Sequence, residues 1–276
     1  MKYATVMVGL AIGQSNEARL EIAGQLAERF VAKVIGVAAA EFSPPLYFME
    51  GEPAQRLMDQ GWAAVKNRLA GLEGEFRTAM QSRAAEVEWR CAEGFPTRYF
   101  VQQARACDIL VVGGVARGAL ADPFVQVDPS DLVMQAGRPL LVVPDDCNWL
   151  DLRNVLIAWK DTAEARRAVS DALPLLHQSK EVTVVEIVGE EADRAAALSR
   201  VGDVVAWLSR HGVRGSEQSP EQCRNASTQL ERIASEIGAG VVIAGAYGHS
   251  RLSEWILGGV TRRLINPYNR CSLLSH

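Results

Sequence analysis

The sequence is poor in cysteine. Five cysteines occur in 276 residues, an odd number that suggests neither a disulfide framework nor a zinc ribbon. They are Cys91, Cys107, Cys147, Cys223 and Cys271. The N-terminal segment also lacks the small-residue cleavage site of a secretory signal. Both absences predict a cytoplasmic protein with free thiols.

Long apolar runs and an excess of basic charge are missing as well. The longest apolar stretches, such as 109–115 and 238–246, are far shorter than the roughly 20 residues that span a bilayer. Lys and Arg number 29 against 33 Asp and Glu, a net charge of -4. The sequence therefore predicts neither a membrane nor a nucleic acid as a partner.

What the sequence does contain is a regular alternation of short apolar runs and longer amphipathic stretches, which is typical of βαβ units. The strand candidates are 5–10, 33–38, 87–91, 109–113, 139–143, 155–159, 182–188, a weak one near Val213, 241–245 and 272–275. This pattern predicts an α/β protein of two tandem doubly wound, Rossmann-like domains. Each domain is expected to hold a five-stranded parallel sheet flanked by helices.

The two halves of the chain repeat each other. Residues 110–143 align without gaps on 242–275, at an offset of 132 residues, and 17–19 align on 164–166 at an offset of 147. We therefore predict a tandem duplication with domains 1–146 and 147–276 and a polar linker at 144–149.

The first half is the longer one. Its surplus maps to 44–53, which has no counterpart, and to a long helix predicted over 54–83 with Trp62, Val65, Leu69 and Leu72 on one apolar stripe. The segment 44–53 could be a lid over a pocket, a contact for another subunit or protein, or a loop folded over its own helix.

A second helix shows local signals at both ends. Asp161 followed by Glu164 resembles a capping box and predicts the start of the helix. Pro174 lies inside the same helical pattern, where it should kink or end the helix.

The strongest chemical signal is a set of glycines that follows the strand 241–245. Gly245 and Gly248 are followed, after nine intervening residues, by Gly258 and Gly259 at the start of a helix that continues with Val260 and Thr261. Glycines allow a sharp turn with exposed N–H groups, and a helix N-terminus attracts anions. The carboxyl end of a strand in a doubly wound sheet is also where ligands bind.

This glycine spacing resembles the nucleotide-binding signature of the universal stress protein family. The segment 93–96 is similar to the Gly-x-Pro segment of that family, and 159–162 occupies the place of its Asp-Gly-Ser turn. In order, these motifs cover nearly the whole chain as two tandem domains. The resemblance implies pairing of the two domains through their last strands within the chain, with a homodimer as a further option.

The resemblance also implies ATP as the cofactor of the second domain alone. The implied contact residues are Gly245, Gly248, Gly258, Gly259, Val260, Thr261, Lys160 and His249. Gly259 stands where nucleotide-binding members carry Ser or Thr, and Lys160 stands where they carry an acidic residue. Arg270-Cys271 replaces the small or Pro-rich approach to the last strand.

The first half departs further from the family pattern. Ala116, Gln126 and Pro129 replace Gly248, Gly258 and Thr261, and Ala11 falls on Lys160. Asp122 and Asp128 add negative charge where phosphates would lie. We expect no nucleotide to bind there in the manner of the family.

Each candidate side chain also has a plainer interpretation. Lys160 could pair with a phosphate or be a surface lysine, and His249 could act on a ligand or be a solvated loop residue. The histidines show no metal-ligand spacing, and nothing places Ser, His and an acid in one triad. No catalytic residue and no metal are predicted.

Three functions are consistent with these observations. The leading one is a non-enzymatic stress-response protein that binds ATP or another adenine nucleotide in its second domain. The second is an interaction scaffold with vestigial pockets, which acts through 44–53 and exposed sheet edges on an unidentified protein partner. The third is a nucleotide hydrolase or transferase. This hypothesis rests on fold analogy alone, since no Walker A motif is present.

Overall fold

A computed structural model describes residues 2–44, 51–114, 122–189, 193–223, 225–247, 259–266 and 269–276. The strands are β1 (Thr5–Gly9), β2 (Lys33–Ala40), β3 (Glu86–Glu93), β4 (Ile109–Gly113), β5 (Leu140–Val143), β6 (Asn154–Ala158), β7 (Glu181–Val185), β8 (Gly215–Gln218), β9 (Val241–Gly245) and β10 (Cys271–Ser275). The helices are α1 (Glu17–Phe30), α2 (Glu52–Met80), α3 (Pro96–Gln103), α4 (Pro129–Gln135), α5 (Ala163–Asp171), α6 (Leu173–Leu176), α7 (Arg194–Arg210), α8 (Ala226–Glu236) and α9 (Gly259–Ile265).

All ten strands form one sheet in the order β3-β2-β1-β4-β5-β10-β9-β6-β7-β8. Read from each edge to the centre, the two halves have the same order of strands. Neighbouring strands are parallel in every pair except β5 and β10, which are antiparallel. The predicted fold class is confirmed, with the two half-sheets joined into one.

The central pair shows how the halves are related. Leu141 lies opposite Leu273, and these are also the residues that the 132-residue offset aligns. An antiparallel pair of equivalent residues is what a twofold rotation between the halves produces. Both side chains are fully buried. This is the intrachain pairing that the resemblance implies.

Helices cover both faces of the sheet, because successive side chains of a strand point to opposite sides. In β1, Val6 and Val8 belong to one apolar core and Met7 to the other. The first core is closed by α1, α2, α5 and α7, and the second by α3, α4, α8 and α9. Two buried faces explain why the strands read as continuous apolar runs in the sequence.

The segment between β5 and β6 is held against α1. Gln25 donates to the carbonyl of Asn148 at 2.9 Å and accepts from the N–H of Leu150 at 2.9 Å. Arg29 donates to the carbonyl of Leu150 at 3.0 Å and lies over the ring of Trp149. The predicted linker is therefore a docked segment. The domain boundary within it stays a prediction.

The signals at α5 gave one correct and one wrong prediction. Pro174 interrupts the helical pattern as expected, since α5 ends before it and α6 begins at Leu173. The N-cap is Thr162 and not Asp161, because Thr162 has the extended backbone of a cap and its hydroxyl accepts from the N–H of Ala165 at 3.3 Å. Asp161 forms an ion pair with Arg166 instead.

The long first-half helix is also present. α2 has 29 residues, whereas α7, at the same place in the second half, has 17. Val65, Leu69 and Leu72 of the predicted stripe are buried in the core, and Trp62 meets Phe42 edge to face. Residues 45–50 of the predicted extra loop lie outside the described residues. No helix in the described part of the chain is long and apolar enough to cross a bilayer.

The β5–β10 pair yields a first prediction. Leu273→Ala should lower the free energy of unfolding by about 2–5 kcal/mol, because it leaves a cavity in the sheet where the two halves meet. Denaturant-induced unfolding measures the change. Leu198→Ala on α7 is the control, since Leu198 is 39% exposed, and it should cost less than about 0.5 kcal/mol. Equal losses in the two variants would contradict the prediction.

Candidate functional site

The candidate site of the second half lies at the carboxyl ends of β6 and β9. The two strands are parallel neighbours, with Ala158 opposite Ala244. Gly245 ends β9, and Lys160 follows β6 by two residues with its side chain exposed. The strand order reverses direction at this pair, which is the point where ligands of doubly wound sheets bind.

Gly245 has a packing role that is independent of any ligand. A Cβ at this position would lie 2.5 Å from the backbone N of Ala165 and 2.7 Å from the carbonyl carbon of Glu164. Those atoms belong to the first turn of α5 and cannot move aside without displacing the helix. The glycine therefore lets α5 approach the end of β9 closely.

The start of the glycine loop is held by the end of the chain. The N–H of Ala246 donates to the carbonyl of Ser275 at 2.8 Å, and Nδ1 of His276 lies 3.0 Å from the carbonyl oxygen of Ala246. Arg167 of α5 donates to the carbonyl oxygen of His276. Tyr247 then turns the chain with a positive φ of 57°. No sequence motif predicted His276 at this place.

The structure describes five of the eight predicted contact residues. Gly248, His249 and Gly258 lie outside the described residues. Within α9, Gly259 is exposed, Val260 is half-buried and Thr261 is buried. Gly245 and Lys160 complete the described set.

Polar groups from α8 border Gly259. A Cβ at Gly259 would lie 3.9 Å from the hydroxyl of Ser227 and 4.0 Å from Oδ1 of Asn225. Asn225 caps α8 by accepting from the N–H of Ser227 at 2.8 Å. Neither residue was among the contact residues predicted from the sequence, although an Asn before an amphipathic run is a usual helix-start signal.

The corresponding place in the first half is an open cleft. It lies at the carboxyl ends of β1 and β4 and is lined by residues such as Ala11, Gln14, Arg19, Gly113 and Gln126. Gly113 is the repeat counterpart of Gly245, but its neighbour is different. A Cβ there would lie 2.4 Å from the guanidinium of Arg19.

Arg19 is a buried cation in this cleft. It is 5% exposed and donates to the carbonyls of Gly9 at 3.4 Å and Ser15 at 3.3 Å, and to the side-chain oxygen of Gln14 at 3.1 Å. Burial lowers its pKa to about 10, against the opposite influence of Asp145.

The equivalent arginine of the second half is exposed. Arg166 is the repeat counterpart of Arg19, is 58% exposed and pairs with the carboxylate of Asp161. At the 147-residue offset Gln14 corresponds to Asp161. The arginine therefore contacts the equivalent residue in both halves, but this residue is a neutral amide in the first half and a carboxylate in the second. The substitution of an acid by an amide is the sequence signal that could have identified Arg19.

The start of α4 carries its own anion. Asp128 accepts from the N–H groups of Ser130 at 2.8 Å and Asp131 at 3.4 Å, and its own N–H donates to the hydroxyl of Thr97 at 3.0 Å. A carboxylate thus occupies free N–H groups at the start of α4, next to the place where the resemblance puts a phosphate. This supports the prediction that the first half binds no nucleotide in that manner.

No cluster of three or more potential metal ligands is found in the described part of the chain. Asp161 and Glu164, the two acids near the second site, belong to the start of α5. His249, considered for acid–base chemistry, lies outside the described residues.

Comparison with known proteins establishes the fold. No protein-family model matches the sequence, and no curated protein matches it. The chain is similar in structure to a universal stress protein from Archaeoglobus fulgidus DSM 4304, with a TM-score of 0.74 and 15% identity over 98% of this chain and 95% of the other. It is also similar to a functionally unknown protein from Pseudomonas aeruginosa PAO1, with a TM-score of 0.61 and 13% identity over 99% and 92%. The chain therefore has the universal stress protein fold.

The close contact at Gly245 yields a second prediction. Gly245→Ala should lower the free energy of unfolding by about 1–3 kcal/mol, because the new methyl group meets backbone atoms of α5. Gly71→Ala is the control: Gly71 lies inside α2 with open space around it, so the change should stabilise the chain by roughly 0.5–1 kcal/mol. Denaturant midpoints measure both. An unchanged midpoint for Gly245→Ala would show that α5 does not need this glycine.

Proposed function

We propose that this chain is a tandem member of the universal stress protein family that binds ATP or another adenine nucleotide in its second half and does not turn it over. The proposed domains are 1–146 and 147–276. The proposed contact residues are Gly245, Gly248, Gly258, Gly259, Val260, Thr261, Lys160 and His249.

The observation that carries the proposal is the difference in charge between two equivalent places. In the first half, the carboxylate of Asp128 occupies the N–H groups at the start of α4. At the 132-residue offset its counterpart is Val260, which has no charge. Lys160 adds an exposed cation where the first half has Ala11. A phosphate at the start of α4 would therefore meet a carboxylate, whereas the equivalent place in the second half has none and Lys160 adds a cation nearby.

The described residues of the second half fit a phosphate group. The exposed backbone of Gly259 has no side chain in the way, and the hydroxyl of Ser227 lies nearby. Lys160 would supply a mobile ammonium that pairs with phosphate as a point charge. Thr261 is buried, so it would act by packing α9 on the sheet.

The alternative of an interaction scaffold receives less support from the sheet edges. In the described part of the chain, joining β5 to β10 leaves only β3 and β8 at the edges of the ten-stranded sheet. β3 carries charged residues in ion pairs, with Lys33 bridging to Glu86 and Glu88, each at 2.7 Å, and Arg90 bridging to Glu88 at 2.7 Å. Charged edge strands discourage the addition of a further strand.

Calorimetry of the full chain with ATP tests the proposal. We expect one site per chain and an affinity that falls about fivefold in Lys160→Glu, since reversing one partly solvated charge beside a phosphate costs about 1 kcal/mol. Lys180→Glu is the matched control. Lys180 is also exposed, but it precedes β7 at the opposite end of the sheet, so its variant should bind ATP as the native chain does.

Three results would contradict the proposal. The first is absence of ATP binding by the native chain, and the second is two equivalent sites per chain. The third is equal affinity in the two lysine variants. If the native chain releases inorganic phosphate from ATP and Lys160→Glu does not, the chain is a nucleotide hydrolase and not a protein that only binds the nucleotide.

A further inference from the structure

The fold brings two cysteines together that lie 124 positions apart in the sequence. Cys147 belongs to the segment between β5 and β6, and Cys271 begins β10. Their sulfur atoms are 3.6 Å apart, and both are thiols.

The contact follows from the antiparallel pairing at the centre of the sheet. Ser272 lies opposite Val142, so Cys271 lies beside Val143, the last residue of β5. After β5 the chain turns, with the N–H of Cys147 donating to the carbonyl of Pro144 at 3.1 Å. This turn returns Cys147 to the sulfur of Cys271.

The two thiols differ in accessibility and acidity. Cys147 is partly exposed, whereas Cys271 is fully buried. A hydrogen bond from the thiol of Cys271 lowers the pKa of Cys147 to about 7, while the contact with Cys147 and burial raise the pKa of Cys271. Solvent thus reaches the thiol that ionises near neutral pH, which is the one able to react first.

We propose that Cys147 and Cys271 are a redox pair that closes to a reversible disulfide on reaction with a peroxide. This function is independent of the proposed nucleotide site. The Cys147 thiolate attacks one peroxide oxygen, so that an S–O bond forms, the O–O bond breaks and hydroxide leaves to become water. Cys271 then attacks the sulfur of Cys147 and loses its proton. The S–S bond forms as the S–O bond breaks and releases a second water.

The overall step oxidises two thiols by two electrons and reduces one hydrogen peroxide to two waters. A dithiol reductant reverses it by thiol–disulfide exchange. The sulfurs must approach from 3.6 Å to the S–S bond length of about 2.05 Å. Cys147 can supply this movement, because it lies in neither a strand nor a helix.

The disulfide would fasten the connecting segment to the strand at the centre of the sheet. It would close a chain segment of more than a hundred residues, and such a closure reduces the freedom of the unfolded chain. The oxidised protein should therefore melt roughly 5–10 °C higher than the reduced protein.

Peptide mapping of the full chain tests the pair directly. The reduced protein is treated with a small excess of hydrogen peroxide, alkylated and cut with trypsin without reduction. Because Arg270 precedes Cys271, trypsin releases the last six residues as one peptide. We expect this peptide joined to the one that contains Cys147. The linkage should form faster as the pH rises through about 7, where Cys147 ionises.

Variants separate the two roles. Cys271→Ser should leave Cys147 as a sulfenic acid that dimedone traps, and Cys147→Ser should leave Cys271 unmodified. The double variant Cys91→Ser/Cys223→Ser removes the exposed single thiols and should keep both the linkage and the rise in melting temperature. A dithiol reductant should reverse both effects.

The proposal is overturned if peroxide modifies Cys91 and Cys223 while the peptide linking Cys147 to Cys271 is absent. It is also overturned if that peptide joins two different chains, which mixing isotopically labelled with unlabelled protein would reveal. A linkage without any increase in melting temperature would overturn the structural effect that we assign to it.

Discussion

The antiparallel pairing of β5 with β10 is the constraint on which the rest of the structure depends. Without it, each half-sheet would expose a row of unpaired N–H and C=O groups beside fully buried leucines. The pairing satisfies those groups and buries Leu141 and Leu273 in one continuous core. It also sets the approximate twofold relation of the halves. In addition, it places the start of β10 beside the segment between β5 and β6, so that Cys147 meets Cys271.

The halves share a backbone plan but differ in charge where the strands end. In both, a glycine ends the strand next to the switch point, and the first helix of the half comes close to it. A guanidinium lies against Gly113, whereas backbone of α5 lies against Gly245. The first half has Gln14 where the second half has Asp161, so its arginine lacks a carboxylate partner. The first half also has the anion Asp128 where the second half has the uncharged Val260. The two halves therefore share a scaffold and differ in the electrostatics of their clefts.

The sequence predicted the strands well and the individual contacts poorly. Runs such as Ile109–Gly113 and Val241–Gly245 were placed to the residue, because a strand buried on both faces is apolar at every position. β8 was displaced, since a short, partly exposed edge strand carries little apolar signal. The cap of α5 was missed by one residue because Asp161 and Thr162 are both good caps, and only the backbone at Thr162 chose between them. The burial of Arg19 was not predicted, because its one signal, the neutral Gln14 in place of Asp161, emerges only when the two halves are compared.

The sequence by itself determined the class of fold, the two repeated halves and the positions of nearly all strands. The periodicity that predicts strands lies in neighbouring residues, and the repeat is visible when one half of the sequence is aligned on the other. Tertiary structure alone decided which distant side chains meet. The contact of Cys147 with Cys271, the burial of Arg19 against Gly113 and the register of Leu141 with Leu273 all follow from the pairing of segments far apart in the chain. The physical reason is that burial and contact depend on how these segments pack, and no local pattern of residues encodes that packing.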